Sequence, residues 1–196
     1  MEKIKRMGDS MSGVGFVKRN LGTIMGLILL IVIVSFSTPK FLTTSNILNL
    51  LKSNAVNAII CCGMLMAILM GEIDISVGST VGLTGIIGAY MLTNMGMPVW
   101  LTLISCLVVG AFIGFINGFA ISYLKVPAFV ATLATQSLGR GFTEILSNGV
   151  TIRIRDQVYT AFGNTSIGGI SVIVIYAAVV LIGTWVLLNK TRFGYY

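Results

Sequence analysis

Long uncharged, mostly apolar stretches separated by short charged junctions dominate the pattern of this chain. They cover residues 20–39, 53–71, 75–124 and 157–189. A helix rises about 1.5 Å per residue, so about 20 residues cross a hydrocarbon layer about 30 Å thick. The pattern therefore predicts about six membrane-spanning helices. Their predicted bounds are about 21–36, 55–71, 77–92, 99–124, 128–146 and 170–188.

Two polar segments interrupt this pattern. Residues 43–52 place apolar side chains at helical spacing, which predicts an amphipathic helix that Ser45 can cap. Residues 147–169 contain an Asn-Gly and a Gly-Gly pair and are predicted to form a polar loop. The fifth span is the weakest of the predicted spans, because it contains an amide and two charged side chains.

The composition also indicates a membrane setting. Apolar residues make up 56% of the 196 residues and charged residues 10%, and the mean hydropathy is +0.96. An ordinary soluble domain is about 25% charged, so a soluble enzyme, a nucleic-acid-binding module and a disordered tail are excluded. The net charge of +7 is spread between the apolar runs rather than gathered in a patch, which indicates membrane lipid and not nucleic acid as a partner.

The lack of His and the positions of the Cys residues exclude most catalytic chemistry. The chain has no His, so Ser-His and Cys-His nucleophile pairs and His-ligated zinc are excluded. Its three Cys lie inside apolar runs and form neither a disulfide framework nor a paired metal motif. An intramembrane aspartyl protease would need two aspartates within the spans, and only Asp74 qualifies. The sequence predicts no enzyme activity and no cofactor or metal.

Basic residues are distributed unequally between the two sides that six spans define. With a cytoplasmic N-terminus, eight are internal and four are external, and this bias predicts that both chain ends are cytoplasmic. The internal ones are Lys3, Lys5, Arg6, Lys18, Arg19, Lys125, Lys190 and Arg192, and the external ones are Lys40, Lys52, Arg153 and Arg155. We expect a basic cytoplasmic segment over 1–20, a transmembrane domain over 21–188 and a cytoplasmic segment over 189–196.

The junction between the second and third predicted spans carries the densest polar signal. Glu72, Asp74, Ser76 and Gly78 lie within the sequence Gly-Glu-Ile-Asp-Ile-Ser-Val-Gly-Ser at residues 71–79. One interpretation is a tight cytoplasmic turn in which Asp74 or Ser76 caps the third helix. The other is a helix break inside the protein, where the freed backbone and the acids line a polar transport path. The residues alone leave both open.

Glycine makes up 23 of the 196 residues, and its spacing is the second feature that distinguishes these helices from plain lipid-facing ones. Gly110, Gly114 and Gly118 form a row on one face of the fourth span, and Gly78 and Gly82 repeat this spacing in the third. Since a missing side chain lets another helix approach closely, we expect Gly82 and the row in the fourth span to serve helix packing. The alternative is that the rows line a narrow pathway.

Arg140 and Glu144 are the charged pair within the fifth span. Their spacing puts them on one face of a helix, where they can neutralise each other. An unpaired charge in hydrocarbon costs several kcal/mol, so we expect an intramembrane ion pair that faces protein or water. The alternative is a hydrogen-bonding face toward a polar substrate.

Residues 71–79 closely resemble the G-x-I-D-I/L-S-V-G-S segment of permease subunits from ABC importers for simple sugars, the ribose, xylose and galactoside group. Residues 41–51 are similar to that family's F-L-T-x-x-N-I/L-x-N-I/L-L segment, and residues 126–135 to its V-P-x-F-I-x-T-L-x-T segment. An Arg-Gly and an Asn-Gly pair then follow where the family has them. The resemblance extends in order over about residues 20–196.

This resemblance implies an all-α fold, a polytopic bundle of membrane helices with about ten spans in a complete subunit. The chain would be the N-terminal part, with about six of them. The implied function is to form the pathway for a simple sugar across the bacterial cytoplasmic membrane while a separate subunit hydrolyses ATP. The alternative is an inert or assembly-type membrane protein, a truncated permease without transport activity.

The resemblance also implies partners and residue roles. The partners are cytoplasmic ATP-binding subunits, an extracellular or periplasmic sugar-binding protein and a second permease copy. Asp74 and Ser76 would fix the broken helix between the second and third spans. The segment expected to lead into the contact with the ATPase consists of Thr191, Arg192, Phe193 and Gly194.

Overall fold

The computed structural model of the chain describes residues 20–191 and contains, within this range, seven helices and one two-stranded hairpin. The helices are α1 (Leu21–Ser37), α2 (Thr44–Leu69), α3 (Val77–Thr93), α4 (Val99–Ser122), α5 (Ala128–Ser147), α6 (Gln157–Asn164) and α7 (Val172–Lys190). The hairpin pairs β1 (Ser166–Ile167) with β2 (Ile170–Ser171) in antiparallel register. The all-α class predicted from the sequence is confirmed.

Five of the predicted spans correspond to helices whose bounds differ from the prediction by at most two residues, namely α1, α3, α4, α5 and α7. The exception is α2. The amphipathic helix expected at 43–52 and the span expected at 55–71 form one helix over Thr44–Leu69. The polar first turns contain neither Gly nor Pro, so no residue breaks the helix where its composition changes.

The predicted polar loop at 147–169 contains secondary structure of its own. α6 follows Asp156, whose carboxylate accepts a hydrogen bond from the backbone N–H of Tyr159 at 2.8 Å, the usual N-cap arrangement. Gly168 and Gly169 close the hairpin with φ angles of +59° and +84°, a region that glycine adopts without strain. The turn pair was predicted from the sequence, and the eight-residue helix was not, because so short a segment has little periodic signal.

Small residues fill the contacts between helices in residues 51–191, which form one compact unit. α3 packs against α5 and α4, and α6 packs against α7. The buried residues are Ala55, Cys62, Ser76, Ser79, Leu83, Gly88, Ala89, Thr102, Asn117, Ala128, Ala131, Thr132, Gly139, Ser147 and Ala177. Membrane helices usually meet through small side chains, because burying large apolar groups gains nothing over contact with lipid tails.

Residues 20–50 belong to a separate unit. α1 is apolar on all its faces, and none of its residues is buried within the described chain. Beyond it, the Asn46 side-chain amide donates to the Phe41 carbonyl at 2.7 Å, and the Thr43 hydroxyl donates to the Lys40 carbonyl at 2.8 Å. A helix that is apolar all round needs apolar surroundings, which lipid supplies.

Three helices of the described range are long and apolar enough to cross a membrane by length and composition, namely α2, α4 and α7. α1 and α3 are apolar helices of 17 residues each, a length of about 26 Å. α5 has 20 residues and carries the charged pair. The number of crossings stays a prediction.

Candidate functional site

Residues 70–76, which connect α2 to α3, form a helix break that begins with a Schellman motif. The N–H of Glu72 donates to the Ala67 carbonyl at 3.1 Å, and the N–H of Gly71 donates to the Ile68 carbonyl at 3.0 Å. Gly71 has a φ of +77°, the left-handed conformation that this motif requires. The backbone therefore ends α2 at a defined position.

The carboxylate of Asp74 caps the start of α3. Its Oδ1 atom accepts hydrogen bonds from the backbone N–H of Ser76 at 2.8 Å and from the Ser76 hydroxyl at 2.6 Å. The first bond satisfies the N–H of Ser76, which is the N-cap residue of α3, rather than an N–H of the first helical turn. A carboxylate at this end also interacts favourably with the helix dipole. Of the two capping candidates from the sequence, Asp74 makes the bond to the backbone.

Ser76 connects the helix break to α4 and α5. It is 1% exposed, and its hydroxyl oxygen accepts a hydrogen bond from the Asn117 Nδ2 atom at 2.9 Å. The Asn117 Oδ1 atom in turn accepts a hydrogen bond from the Thr135 hydroxyl at 2.5 Å. We call Thr135, Asn117, Ser76 and Asp74 the donor chain, because each side chain donates to the next and the carboxylate is the final acceptor.

One further contact brings α5 to the helix break, and another brings it to the first turn of α3. The Thr132 hydroxyl lies 3.4 Å from the Ile73 carbonyl oxygen, while it bonds the Ala128 carbonyl of its own helix at 2.8 Å. Gly139 lies so close to α3 that a Cβ atom there would be 3.0 Å from the Ser79 Oγ. A side chain at position 139 would fit only if Ser79 moved by a few tenths of an ångström.

The Ser76 end of the helix break is recessed among the helices, whereas Met70 and Ile73 are 73% and 63% exposed. Asn117 lies about one and a half turns before the end of α4 at Ser122, and Thr135 lies about two turns after the start of α5 at Ala128. The donor chain therefore meets the break about 7–10 Å inside these helix ends. A helix break inside the protein, rather than a turn that projects into water, stays a prediction.

A groove runs beside the break between α3 and α5. One part has a volume of about 450 Å³ and is lined by Gly78, Ser79, Gly82, Arg140, Thr143 and Glu144. A second part of about 550 Å³ shares Gly82, Thr143 and Glu144 and extends to Ser147, Ile152, Ile154 and Tyr159. The glycines of α3 leave their backbone open on one wall, and charged and hydroxyl side chains of α5 form the other. Such a surface can both donate and accept hydrogen bonds.

Arg140 and Glu144 lie on the same face of α5, as their spacing predicted. Both are exposed within the described chain, and both line the groove. The structure therefore places both side chains on the same wall of the groove as Thr143. The ion pair between the two side chains stays a prediction.

The extended segment between α5 and α6 borders the groove. Ile152 and Ile154 line the groove, while Arg153 and Arg155 are exposed, the alternation expected of an extended chain. Tyr159 of α6 lines the groove beside them. Burial raises the pKa of the Tyr159 phenol, so this hydroxyl stays protonated and can donate a hydrogen bond.

The glycines predicted to serve helix packing have different surroundings. A Cβ atom on Gly110 would lie 3.9 Å from the Thr84 Cγ2, an ordinary contact between α4 and α3. Among residues 20–191, open space surrounds the same position at Gly78, Gly82, Gly114 and Gly118. The packing role of Gly82, Gly114 and Gly118 stays a prediction. It requires a packing partner other than residues 20–191.

Several residues of the site were not singled out from the sequence. Asn117 is the one amide among the buried residues of the range 20–191. Its place in an apolar helix was an available signal, because a buried amide needs hydrogen-bond partners. Thr132 and Thr135 gave no such signal, since Thr often bonds its own helix. Of the two glycines that make close approaches, Gly139 belongs to neither predicted row, whereas Gly88 lies further along the same span as Gly78 and Gly82.

The remaining predicted positions lie at or beyond the end of the described range. The Thr191 hydroxyl donates to the Leu187 carbonyl at 2.5 Å. Arg192, Phe193 and Gly194, like the basic segment before residue 20, lie outside the described residues. Within residues 20–191, no group of three or more His, Cys, Asp or Glu side chains could hold a metal ion.

Apolar helices that meet through small residues, with a capped break recessed among them, define a multi-pass membrane protein of the helical-bundle class. Residues 46–196 match the family described as "Branched-chain amino acid transport system / permease component". Because this match covers more than half of the chain, the chain belongs to that family of transport permeases.

The chain is also similar to curated sugar permeases, as the sequence motifs predicted. It is 38% identical over 176 residues to the ribose import permease protein RbsC of Haemophilus influenzae, covering 88% of this chain and 54% of the relative. For RbsC of Bacillus subtilis the identity is 39% over 180 residues, with 91% and 56% covered. For the galactose/methyl galactoside import permease protein MglC of Escherichia coli it is 33% over 191 residues, with 88% and 57% covered.

The extent of these matches limits what they describe. The chain spans about half the length of the curated relatives it matches. No solved structure matches it. The transport activity of a complete permease is therefore a proposal for this chain.

Proposed function

We propose that the chain is the membrane-spanning permease subunit of a binding-protein-dependent ABC importer and forms part of the path of a simple sugar across the bacterial cytoplasmic membrane. The observation that carries the proposal is that relatives 33–39% identical over most of the chain are ribose and galactoside import permeases. The motif at residues 71–79 adds support, because its residues build the capped and recessed helix break.

In this proposal the permease makes and breaks no covalent bond. It alternates between two packings of its helices, and ATP binding and hydrolysis in separate subunits bias the balance between them. A sugar is neutral and carries many hydroxyls, so its path needs scattered donors and acceptors. The groove offers such groups in Arg140, Thr143 and Glu144 and in the backbone at Gly78 and Gly82.

The proposal includes partners on both sides of the membrane. Cytoplasmic ATP-binding subunits drive the cycle, an external sugar-binding protein delivers the substrate, and a second permease copy completes the pathway. Both chain ends and the helix break lie on the cytoplasmic side, where the start of α3, the end of α4 and the start of α5 come together beside Lys125. The bias of basic residues toward this side supports the orientation.

ATP-dependent uptake in proteoliposomes tests the function. They contain the full-length protein with the ATP-binding subunits and the binding protein encoded beside it, and radiolabelled ribose, galactose, xylose and leucine are compared. We expect uptake of at least one sugar and not of leucine, and no uptake when the binding protein is omitted. Uptake of leucine alone would contradict the sugar assignment. An assembled complex that transports none of the four would favour the inert alternative, which the comparisons do not support.

Cysteine-accessibility labelling tests the orientation in a variant that lacks the three native Cys. A membrane-impermeant maleimide should label Arg153→Cys in intact cells, because the loop between α5 and α6 is external in this proposal. The same reagent should label Lys190→Cys only after the cells are permeabilised. Labelling of Lys190→Cys in intact cells would contradict the six-span count and the cytoplasmic C-terminal segment.

A further inference from the structure

Asn117 is a buried amide in a mostly apolar helix, and both ends of its side chain are bonded to other helices or their ends. It is 5% exposed. Its Nδ2 atom donates to the Ser76 hydroxyl oxygen, 41 residues away in sequence, and its Oδ1 atom accepts from Thr135, 18 residues away. A buried amide without partners would be strongly unfavourable, so the position of Asn117 is matched to these two neighbours.

The direction of the donor chain follows from proton counting. A hydroxyl has one proton, and the Ser76 hydroxyl gives its proton to the Asp74 carboxylate. The Ser76 oxygen can then only accept, which turns the Nδ2 end of Asn117 toward it. The Oδ1 end faces α5 and accepts from Thr135, whose proton is shared with the Ala131 carbonyl at 3.0 Å.

We infer that Asn117 and Thr135 are positioning residues of the permease. They act through Ser76 to hold the Asp74 cap in one orientation, and they fasten α3, α4 and α5 into one body around the helix break. The transport consequence rests on the proposed function. Because α3 and α5 form the two walls of the groove, this body moves as a unit and its loosening slows the conformational cycle rather than weakening sugar binding.

An exchange of carboxylate and amide tests the donor chain. Asn117→Asp removes the donor to Ser76 and puts a second carboxylate close to Asp74. In the double variant Asp74→Asn/Asn117→Asp, the chain can run in reverse: the amide at position 74 donates to the Ser76 hydroxyl, which donates to the carboxylate at 117. We expect Asn117→Asp to lower the thermal unfolding midpoint of the full-length protein in detergent by about 10 °C.

The double variant decides the outcome of that experiment. We expect it to recover about half of the lost midpoint, because the side-chain bonds of the donor chain form again in reverse. Recovery is incomplete, because the Ser76 N–H and hydroxyl share the Asp74 Oδ1 atom in the parent, and an amide nitrogen in its place cannot accept from the N–H. A double variant no more stable than Asn117→Asp alone would overturn the inference. The two positions would then destabilise independently, as distant sites do.

A milder pair of variants covers the case in which Asn117→Asp fails to fold. Thr135→Val removes one hydroxyl from the donor chain, and Thr135→Ser retains it. Thr102→Val is the matched control, because Thr102 is 0% exposed and its hydroxyl bonds only the carbonyl of Pro98, the N-cap residue of its own helix. We expect Thr135→Val to lower the maximal uptake rate per assembled complex about fivefold at an unchanged half-saturating sugar concentration.

The rescue variant Thr135→Ser and the control variant Thr102→Val show whether the Thr135 hydroxyl acts by positioning or whether any buried Thr→Val change has the same effect. Thr135→Ser and Thr102→Val should both stay within about twofold of the parent rate. Equal losses for Thr135→Val and Thr102→Val would overturn the inference. The thermal measurement needs no transport, so a wild-type complex that transports no sugar counts only against the proposed function. Sugar uptake by the wild type without recovery in the double variant counts only against the donor chain.

Discussion

Two connections within the same group of helices are held in different ways. The helix break at 70–76 joins α2 to α3, and the turn at 94–98, called here the α3–α4 turn, joins α3 to α4. Both begin with a backbone-closed helix end: in the turn, the N–H of Met97 donates to the Met91 carbonyl at 2.9 Å. Both also place a glycine in the left-handed region, with φ of +77° at Gly71 and +62° at Gly96.

The side chains distinguish the two connections. Asp74 and Ser76 tie the helix break to α4 and α5, and Ser76 is 1% exposed. In the α3–α4 turn, Asn94 is exposed and bonds the adjacent Thr93 hydroxyl at 2.8 Å. The backbone therefore decides where each helix ends, and the side chains decide whether that end can be recessed, because a connection away from water needs partners for its polar groups.

The largest expected effect comes from removing the cap. Asp74→Ala removes the acceptor of two hydrogen bonds, which costs about 1 kcal/mol for the helix cap and about 1–3 kcal/mol for the buried Ser76 donors. The matched change in the α3–α4 turn, Asn94→Ala, should cost less than about 0.5 kcal/mol, because the side chain is exposed. The free energy of unfolding of the full-length protein in detergent measures both.

Sugar uptake is a second measurement that compares the helix break with the α3–α4 turn. Sugar uptake should be lost in Asp74→Ala and should stay within about twofold of the parent in Asn94→Ala. Equal losses of stability at the two positions would show that side-chain bonds do not distinguish the break from the turn. Full sugar uptake by Asp74→Ala would remove the helix break from the proposed mechanism.

A smaller effect is expected where α5 approaches the helix break. In Gly139→Val, the new Cβ would lie 3.0 Å from the Ser79 Oγ and 3.1 Å from its Cβ, and the two methyl groups would push α3 and α5 apart at about 2 kcal/mol. Gly141→Val is the control on the same helix, because open space surrounds that position within the described chain. It should change the free energy of unfolding by less than about 0.5 kcal/mol.

The two substitutions in α5 show whether the loss of stability comes from the contact with Ser79 or from adding a large side chain anywhere on this helix. Thermal unfolding of the full-length protein in detergent checks them side by side. If Gly141→Val destabilises as much as Gly139→Val, the contact with α3 is not what limits the side chain at 139. The helix break would then be held by hydrogen bonds alone.

Much of the helix pattern could be predicted from the sequence because a hydrocarbon layer fixes the length of apolar runs without reference to any partner. Five helices have predicted bounds within two residues for this reason. α2 was predicted in two pieces, because its polar first turns were separated from the apolar part on composition alone. A helix continues through polar residues when no Gly or Pro stops it.

The site could be predicted only as far as local rules extend. Asp74 and Ser76 are two residues apart, and their capping motif is readable from adjacent positions. Ser76 and Asn117 are 41 residues apart, so their bond depends on how α3 packs on α4, which no spacing rule supplies. The close approach at Gly139 likewise depends on a single tertiary contact, whereas the predicted glycine row was a local pattern.

The smallest expected difference lies where the two connections are alike. Gly71→Ala and Gly96→Ala each put a Cβ on a residue with positive φ, which costs about 1 kcal/mol, while no atom lies within 4 Å of either position. Since the strain is confined to one residue's backbone, the two losses in the free energy of unfolding should agree within about 0.5 kcal/mol. A clearly larger loss at Gly71 would mean that the donor chain prevents the recessed backbone from relaxing, so that backbone and side chains do not act separately at the helix break.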